Sequence, residues 1–266
     1  MSWFNRPRSV SIDDPRWQRL LADYPFARSV GQQRLDQLRS LSEGFLGSKT
    51  FSAEAGLRLT DDIAAAIALQ ACVPVVELGL DWYDDFRQII VYPDQFLVER
   101  SEVDDAGVVH EEKSALAGET IDGGPVVLSW AASAPQLEGP LWNVVIHEFV
   151  HKLDLRDGAA DGIPPLPAAR RRAWRAALEA AYDGFVDQLD RIERSIPAWI
   201  DPESDAADRY YQSLPLDAYA AHDHAEFFAV AGEAFFLDPA RLESAFPDFF
   251  AQLTEFFRVR PMAADC

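Results

Sequence analysis

Cysteine is nearly absent from this 266-residue chain: Cys72 lies within the apolar run Ile67 to Val76, and Cys266 is the last residue. A disulfide between them would tie a probable core position to a fraying end, so the sequence argues against a disulfide scaffold and for a reducing compartment. Basic side chains are also scarce, 24 against 44 acidic ones, for a formal net charge of -20. Such a surface repels a phosphate backbone instead of releasing its counterions, which argues against direct nucleic-acid binding and leaves an acidic face for a basic protein. No stretch reaches the roughly 18 apolar residues of a bilayer crossing, and the first ten residues, MSWFNRPRSV, carry charge with no apolar run behind them. The expectation is a cytoplasmic protein without a membrane segment. What is present is an ordinary apolar share of 48%, with 12% aromatic residues, which excludes a disordered tail and supports a sizeable core.

Patterning divides the chain in two. Residues 1–75 read as a helical support: Leu35, Leu38, Leu41 and Phe45 share one helical face, and Asp61 to Ala71 form an Ala-rich helix behind Thr60 as N-cap. Residues 76–266 read as the larger part, compact with the first. It begins with strand signals at Val75–Leu78, Gln88–Tyr92, Gln95–Val98 and Val126–Trp130, the last after the turn Asp122-Gly123-Gly124-Pro125. Ser101 to Gly124 reads as an acidic loop or loose hairpin. From Leu141 the pattern is helical again, with a loop at Asp157–Pro167, a long helix to about Arg194, a short Tyr-containing piece at Asp208–Ser213, and helices near Asp223–Leu237 and Asp248–Arg258. Helices, a small sheet, then helices make an α+β protein.

The helix after Leu141 has almost no polar face, yet it contains His147-Glu148-Phe149-Val150-His151, an H-E-x-x-H sequence. Residues four apart on a helix are rotated by about 400°, so both imidazoles leave from one side and can meet one Zn²⁺. Glu148 lies about 100° away, placed to hydrogen-bond a water at the metal as a general base. Burying two imidazoles and a carboxylate without a partner would cost several kcal/mol, and a metal removes that cost. A catalytic zinc needs a third protein ligand. Asp157, six residues after His151, is one option, although Asp154 stands where that arrangement uses a glycine to turn the chain. Glu226 is the other; it opens an apolar run, with Glu233 seven residues on and on the same helical face, so that one can ligate and the other orient a ligand. Asp154 and Glu233 are the supporting carboxylate candidates. Arg170, Arg171, Arg172 and Arg175 form a basic cluster at a helix start, suited to an acidic contact or to pairing with the surplus carboxylates.

Taken in order, the motifs Pro74-Val75-Val76, Gly79-Leu80-Asp81-Trp82, Ile90-Val91-Tyr92-Pro93 and Gly124 to Trp130, then His147 to Asp154, Asp217-Ala218-Tyr219-Ala220 and Glu226 to Val230 with Glu233 and Phe235-Phe236, are familiar. From about residue 40 to 258 the chain resembles the Mlc titration factor A family of zinc metallopeptidases. The site is also similar to that of the anthrax lethal factor protease domain, with a Tyr seven residues before a ligand Glu. The resemblance implies a zincin-like fold, mostly helical with a small mixed sheet beside the H-E-x-x-H helix. It implies one Zn²⁺ per chain on His147, His151 and Glu226, Glu148 as base, and Tyr219 as a donor to the transition state. It further implies aminopeptidase-like hydrolysis of peptides and binding of an Mlc-like transcriptional repressor that controls sugar uptake. A non-catalytic zinc protein that sequesters a transcription factor is the competing expectation.

Two features stand apart. The family's enterobacterial members carry Asp-Pro-x-Glu where this chain has Asp223-His224-Ala225-Glu226, and Cys at the position of Phe227, which leaves the local backbone and the roles of His222 and His224 open. In zincin-like folds the strand at Val126–Trp130 is an edge that pairs with substrate; an ordinary core strand fits the sequence equally.

Overall fold

A computed structural model describes residues 10–103, 109–116, 118–120, 123–135, 142–202, 204 and 206–262. The N-terminal segment, the helix start at Leu141 and Cys266 therefore lie, wholly or in part, outside the described residues. Helix α1, Asp14–Asp23, begins where Asp13 accepts the Arg16 N–H and proline sits in the first turn. Two 3-10 turns lead into α2, Leu35–Ser48, whose Leu35, Leu38 and Phe45 are buried as their spacing predicts. Next comes a strand the periodicity does not reveal, β1, Thr50–Ala53. Helix α3, Asp61–Cys72, starts on Thr60, whose hydroxyl accepts the Ile63 N–H.

The expected strand at Val75–Leu78 is instead a turn: backbone N–H groups of Val76, Leu78 and Gly79 bond to carbonyls three or four residues earlier. Its apolar residues belong to the core, with Val75 and Val76 fully buried, and burial without alternation cannot separate a strand from a packed turn. Strand β2, Gln88–Tyr92, matches its signal. The acidic stretch that follows contains an antiparallel hairpin, β3, Phe96–Val103, with β4, Val109–Leu116, and then the short β5, Gly118–Thr120. Strand β6, Val126–Ser129, leads into one turn of helix, α4, Trp130–Ser133.

The described strands of the main sheet run β1-β2-β6-β5, the first three parallel and β5 antiparallel to β6. This is the small mixed sheet of an α+β zincin-like fold. Strand β6 is buried at every residue, between β2 and β5, so it is internal; the described edge on that side is β5. A run of four consecutive apolar residues with both faces covered is the pattern of a central strand.

Helix α5, Val144–Asp154, carries the H-E-x-x-H residues. Its Phe149 lies in edge-to-face contact with Phe45, Tyr83 and Phe86, which anchors it to the N-terminal half. Helix α6, Ala168–Glu193, has Trp174 at its inner face, and Arg170 from the basic cluster meets Glu255 at 2.9 Å. The short α7, Asp208–Tyr211, precedes α8, His224–Leu237, which is apolar nearly all round and buried accordingly. Helices α9, Pro239–Ala245, and α10, Pro247–Phe257, each start on a proline. Helices α5 and α8 pack closely at Gly232, where a Cβ would come within 2.8 Å of Val150 Cγ2. That contact brings the two polar ends of these apolar helices together.

Candidate metal centre

The ends of α5 and α8 are set by caps. Asn143 Oδ1 accepts the Ile146 N–H at 2.9 Å, while its amide donates to Gln70 at 2.7 Å. On the other side, Asp217 accepts the Tyr219 N–H at 2.8 Å and starts the 3-10 helix Ala218–Ala221. Asp223 accepts the Glu226 N–H at 2.9 Å and starts α8. Two successive Asp caps thus determine where Tyr219 and Glu226 point. The backbone question at His224 is answered by this cap: Asp223 starts the helix without a proline, and the His224 ring rests on Tyr182 with centroids 4.5 Å apart.

His147 Nε2, His151 Nε2 and a Glu226 carboxylate oxygen converge, with separations of 3.1, 3.1 and 3.2 Å. Among the described residues these three form the group that could hold a metal ion. Ligands at about 2.0 Å from a tetrahedral zinc lie about 3.3 Å apart, so the three atoms form nearly one face of such a tetrahedron. Electrostatics point the same way. Burial disfavours charge on His147, yet its bonds to Glu226 and Glu233 outweigh that and hold its proton affinity well above the ordinary imidazole range. Burial would raise the Glu226 pKa, but the two imidazoles hold it well below the usual carboxylate range. Carboxylates of Glu226, Glu233 and Glu148 surround the imidazoles, and this arrangement calls for a cation at its centre.

Glu233 Oε1 lies 2.7 Å from His147 Nδ1, and its other oxygen accepts the Asn143 N–H. One carboxylate therefore bridges a ring nitrogen and the first turn of α5. Glu148 is buried, its backbone carbonyl accepts the Thr120 hydroxyl of β5 at 3.0 Å, and desolvation raises its carboxyl above the ordinary value although the two imidazoles act against this. Strand β5 touches it directly: a Cβ on Gly118 would stand 2.4 Å from Glu148 Oε1. Tyr219 is half-exposed, with its hydroxyl 3.3 Å from Glu226 Oε1 and its ring 6.2 Å from that of His147.

Other sequence candidates lie elsewhere. Asp154 is fully buried and accepts the Gly162 N–H at 2.8 Å, so it holds the loop after α5. Asp157 ends the short 3-10 helix Leu155–Asp157 outside the converging group. His222 is largely exposed beside Asp223. Sequence reasoning passed over Gly118 and Thr120, which belong to a stretch read as loop, and Asn143, whose place before an apolar helix is a cap signal.

A cleft of about 670 Å³ opens from His147, Glu148 and Tyr219. Its walls include Trp142, Val144, Leu214, Leu216 and Val230, and Asp238 and Arg241 also line it.

Residues 2–258 match the family described as glucose-regulated metallo-peptidase M90. The chain belongs to the M90 metallopeptidase family. Relatives of this M90 chain include Mlc titration factor A of Escherichia fergusonii, 33% identical over 251 residues, covering 94% of this chain and 88% of that protein. The protein of the same name from Klebsiella pneumoniae subsp. pneumoniae is 34% identical over 248 residues, 93% of this chain and 87% of its own length. That of Salmonella gallinarum is 34% identical over 250 residues, 94% and 88% respectively. M90 membership implies a metal, and the His147, His151 and Glu226 group is where this chain could hold it.

Proposed function

We propose that this M90 chain is a zinc-dependent peptidase with one Zn²⁺ held by His147, His151 and Glu226. The observation that carries the reading is the near-tetrahedral face of two nitrogens and one oxygen, with Glu148 buried next to the two imidazoles. The N₂O donor set suits zinc, and three protein ligands leave a position open for chemistry. Zinc bound there supplies Lewis acidity, which acidifies water and polarises a peptide carbonyl. Glu148, whose basicity is raised by burial, takes the proton of the attacking water and returns it to the leaving amine. The Tyr219 hydroxyl donates to the carbonyl oxygen as it gains negative charge. Glu233 fixes the His147 ring through Nδ1, so that Nε2 faces the centre. The β5 edge beside Glu148 offers backbone groups to an extended peptide.

In this reading residues 1–75 support the part formed by 76–266, hydrolysis is aminopeptidase-like, and the protein works in the cytoplasm. Among the described residues no helix is long and apolar enough to cross a membrane. The relatives' name, Mlc titration factor A, favours a second role, binding an Mlc-like repressor; it would coexist with hydrolysis or, in a non-catalytic zinc protein, replace it.

Glu148→Gln decides between these readings. It keeps the side-chain shape and the metal ligands while removing the base, so zinc content and fold should persist and peptide hydrolysis should vanish. Equal hydrolysis by both proteins would overturn the mechanism, and hydrolysis by neither would favour sequestration.

A further inference from the structure

The cleft that opens from the metal centre carries chemistry the hydrolytic step does not use. Trp142, Val144, Leu214, Leu216 and Val230 make its walls largely apolar, and Arg241 adds a guanidinium. The Arg241 Nη2 donates to the carbonyls of Gln212 (2.8 Å) and Leu214, two residues that also line the cleft. Among the described residues the guanidinium pairs with no carboxylate, unlike Arg16 and Arg34, which have one each, and Arg39, which has two. The two aspartates in the cleft wall are occupied as caps: Asp217 accepts the Tyr219 N–H, and Asp238 accepts the Arg241 backbone N–H at 3.3 Å. Nη2, the nitrogen shared by both bidentate edges of the guanidinium, is taken by carbonyls, so Nη1 and Nε are each left for a single charge-assisted bond to an anion. In a chain of net charge -20, a carboxylate ligand needs such a specific cation to be held at all.

We propose that Arg241 recognises a carboxylate of the substrate, with the apolar walls taking a bulky apolar side chain between that carboxylate and the scissile bond. The proposal rests on the peptidase reading and narrows its substrate class. His147, Glu148, Tyr219 and Arg241 line one cleft, so a short peptide lying in it meets both the centre and the guanidinium. The carboxylate is either the peptide's own C-terminus or an acidic side chain.

The test uses the zinc-loaded Glu148→Gln protein, so that binding is read without turnover. Calorimetry compares a Leu-rich tetrapeptide with a free C-terminal carboxylate, its carboxamide, and a carboxamide peptide carrying Glu at the last position. The free-acid peptide should bind about tenfold tighter than its carboxamide, and the Glu-containing carboxamide distinguishes the two sources by recovering that affinity or failing to. Adding Arg241→Gln should abolish the preference, and Arg241→Lys, which keeps the charge without the planar guanidinium, should retain part of it. Equal binding of acid and amide, no binding of either, or equal weakening of both in Arg241→Gln would overturn the proposal, the last showing that Arg241 only braces the wall. Should the preference stand while the parent protein hydrolyses none of the peptides, it is the peptidase reading that fails.

Discussion

Tyr219 presents its hydroxyl 3.3 Å from a Glu226 oxygen, at the rim and not in the core, where a packing role would give it little to do. If that hydroxyl meets charge that develops only as water attacks, Tyr219→Phe should lower kcat about a hundred- to thousand-fold with a small change in KM. Steady-state kinetics with zinc content measured in parallel checks this, with Tyr210→Phe as a control that should be nearly silent. In the proposed mechanism Glu233 acts on the metal through His147, which it contacts at 2.7 Å, and not by touching the reacting atoms. Glu233→Gln weakens that orienting bond, and zinc affinity should fall about 10- to 100-fold, measured by competition with a chelator. Unchanged affinity would leave Glu233 as a cap on α5 and no more. The two histidines at the centre were legible because i, i+4 residues on a helix can be read from spacing alone, whereas spacing left Asp157 and Glu226 both open as the third member and the family resemblance favoured Glu226. The contact of Glu233 with His147 spans 86 positions, and no local pattern encodes it.

At the scale of elements, the long and strongly patterned helices were legible, while short strands were not. Helices α3 and α8 begin behind the capping residues Thr60 and Asp223 ahead of apolar runs, and α5 was legible from its apolar run although its Asn143 cap was passed over. Strands β1 and β5 span four and three residues, too few for alternation to register, and pairing with β2 and β6 defines them. Val75–Leu78 misled in the opposite direction, since burial made a turn look like a strand. Strand β5 backs Glu148 and so bears on the proposed mechanism. A methyl at Gly118 would occupy the space of the Glu148 carboxylate, so Gly118→Ala must displace either the strand or the base. The expected outcome is a folded, zinc-replete protein with hydrolysis reduced at least about tenfold. Circular dichroism, metal analysis and kinetics together check it, and full activity would show that β5 yields freely.

For the molecule as a whole, one core runs from Ile12 to Val259 and takes in both halves of the chain, so groups buried in it report on global stability. Asp154 is such a group. It sits at the end of α5, fully buried, with one oxygen holding the Gly162 N–H and the other without a hydrogen-bond partner among the described residues. Burial raises its pKa from 3.8 to about 8, more than the Gly162 bond lowers it, and Asp161 and Asp157 add to the rise. The folded state therefore binds this proton more tightly than the unfolded state does. Stability from Asp154 is complete below the unfolded pKa and is lost as pH rises through the window from about 4 to about 8. At about 1.4 kcal/mol per pKa unit the loss amounts to several kcal/mol. Asp154→Asn keeps an acceptor for Gly162 and removes the titration. Other groups, His147 and Glu226 among them, also titrate, so the informative quantity is the difference in unfolding free energy between parent and variant. Denaturant titrations at pH 5, 6, 7 and 8 should show the parent losing ground steadily to Asp154→Asn. A difference that stays flat across that range would mean that water or a loop movement relieves the buried carboxylate in solution.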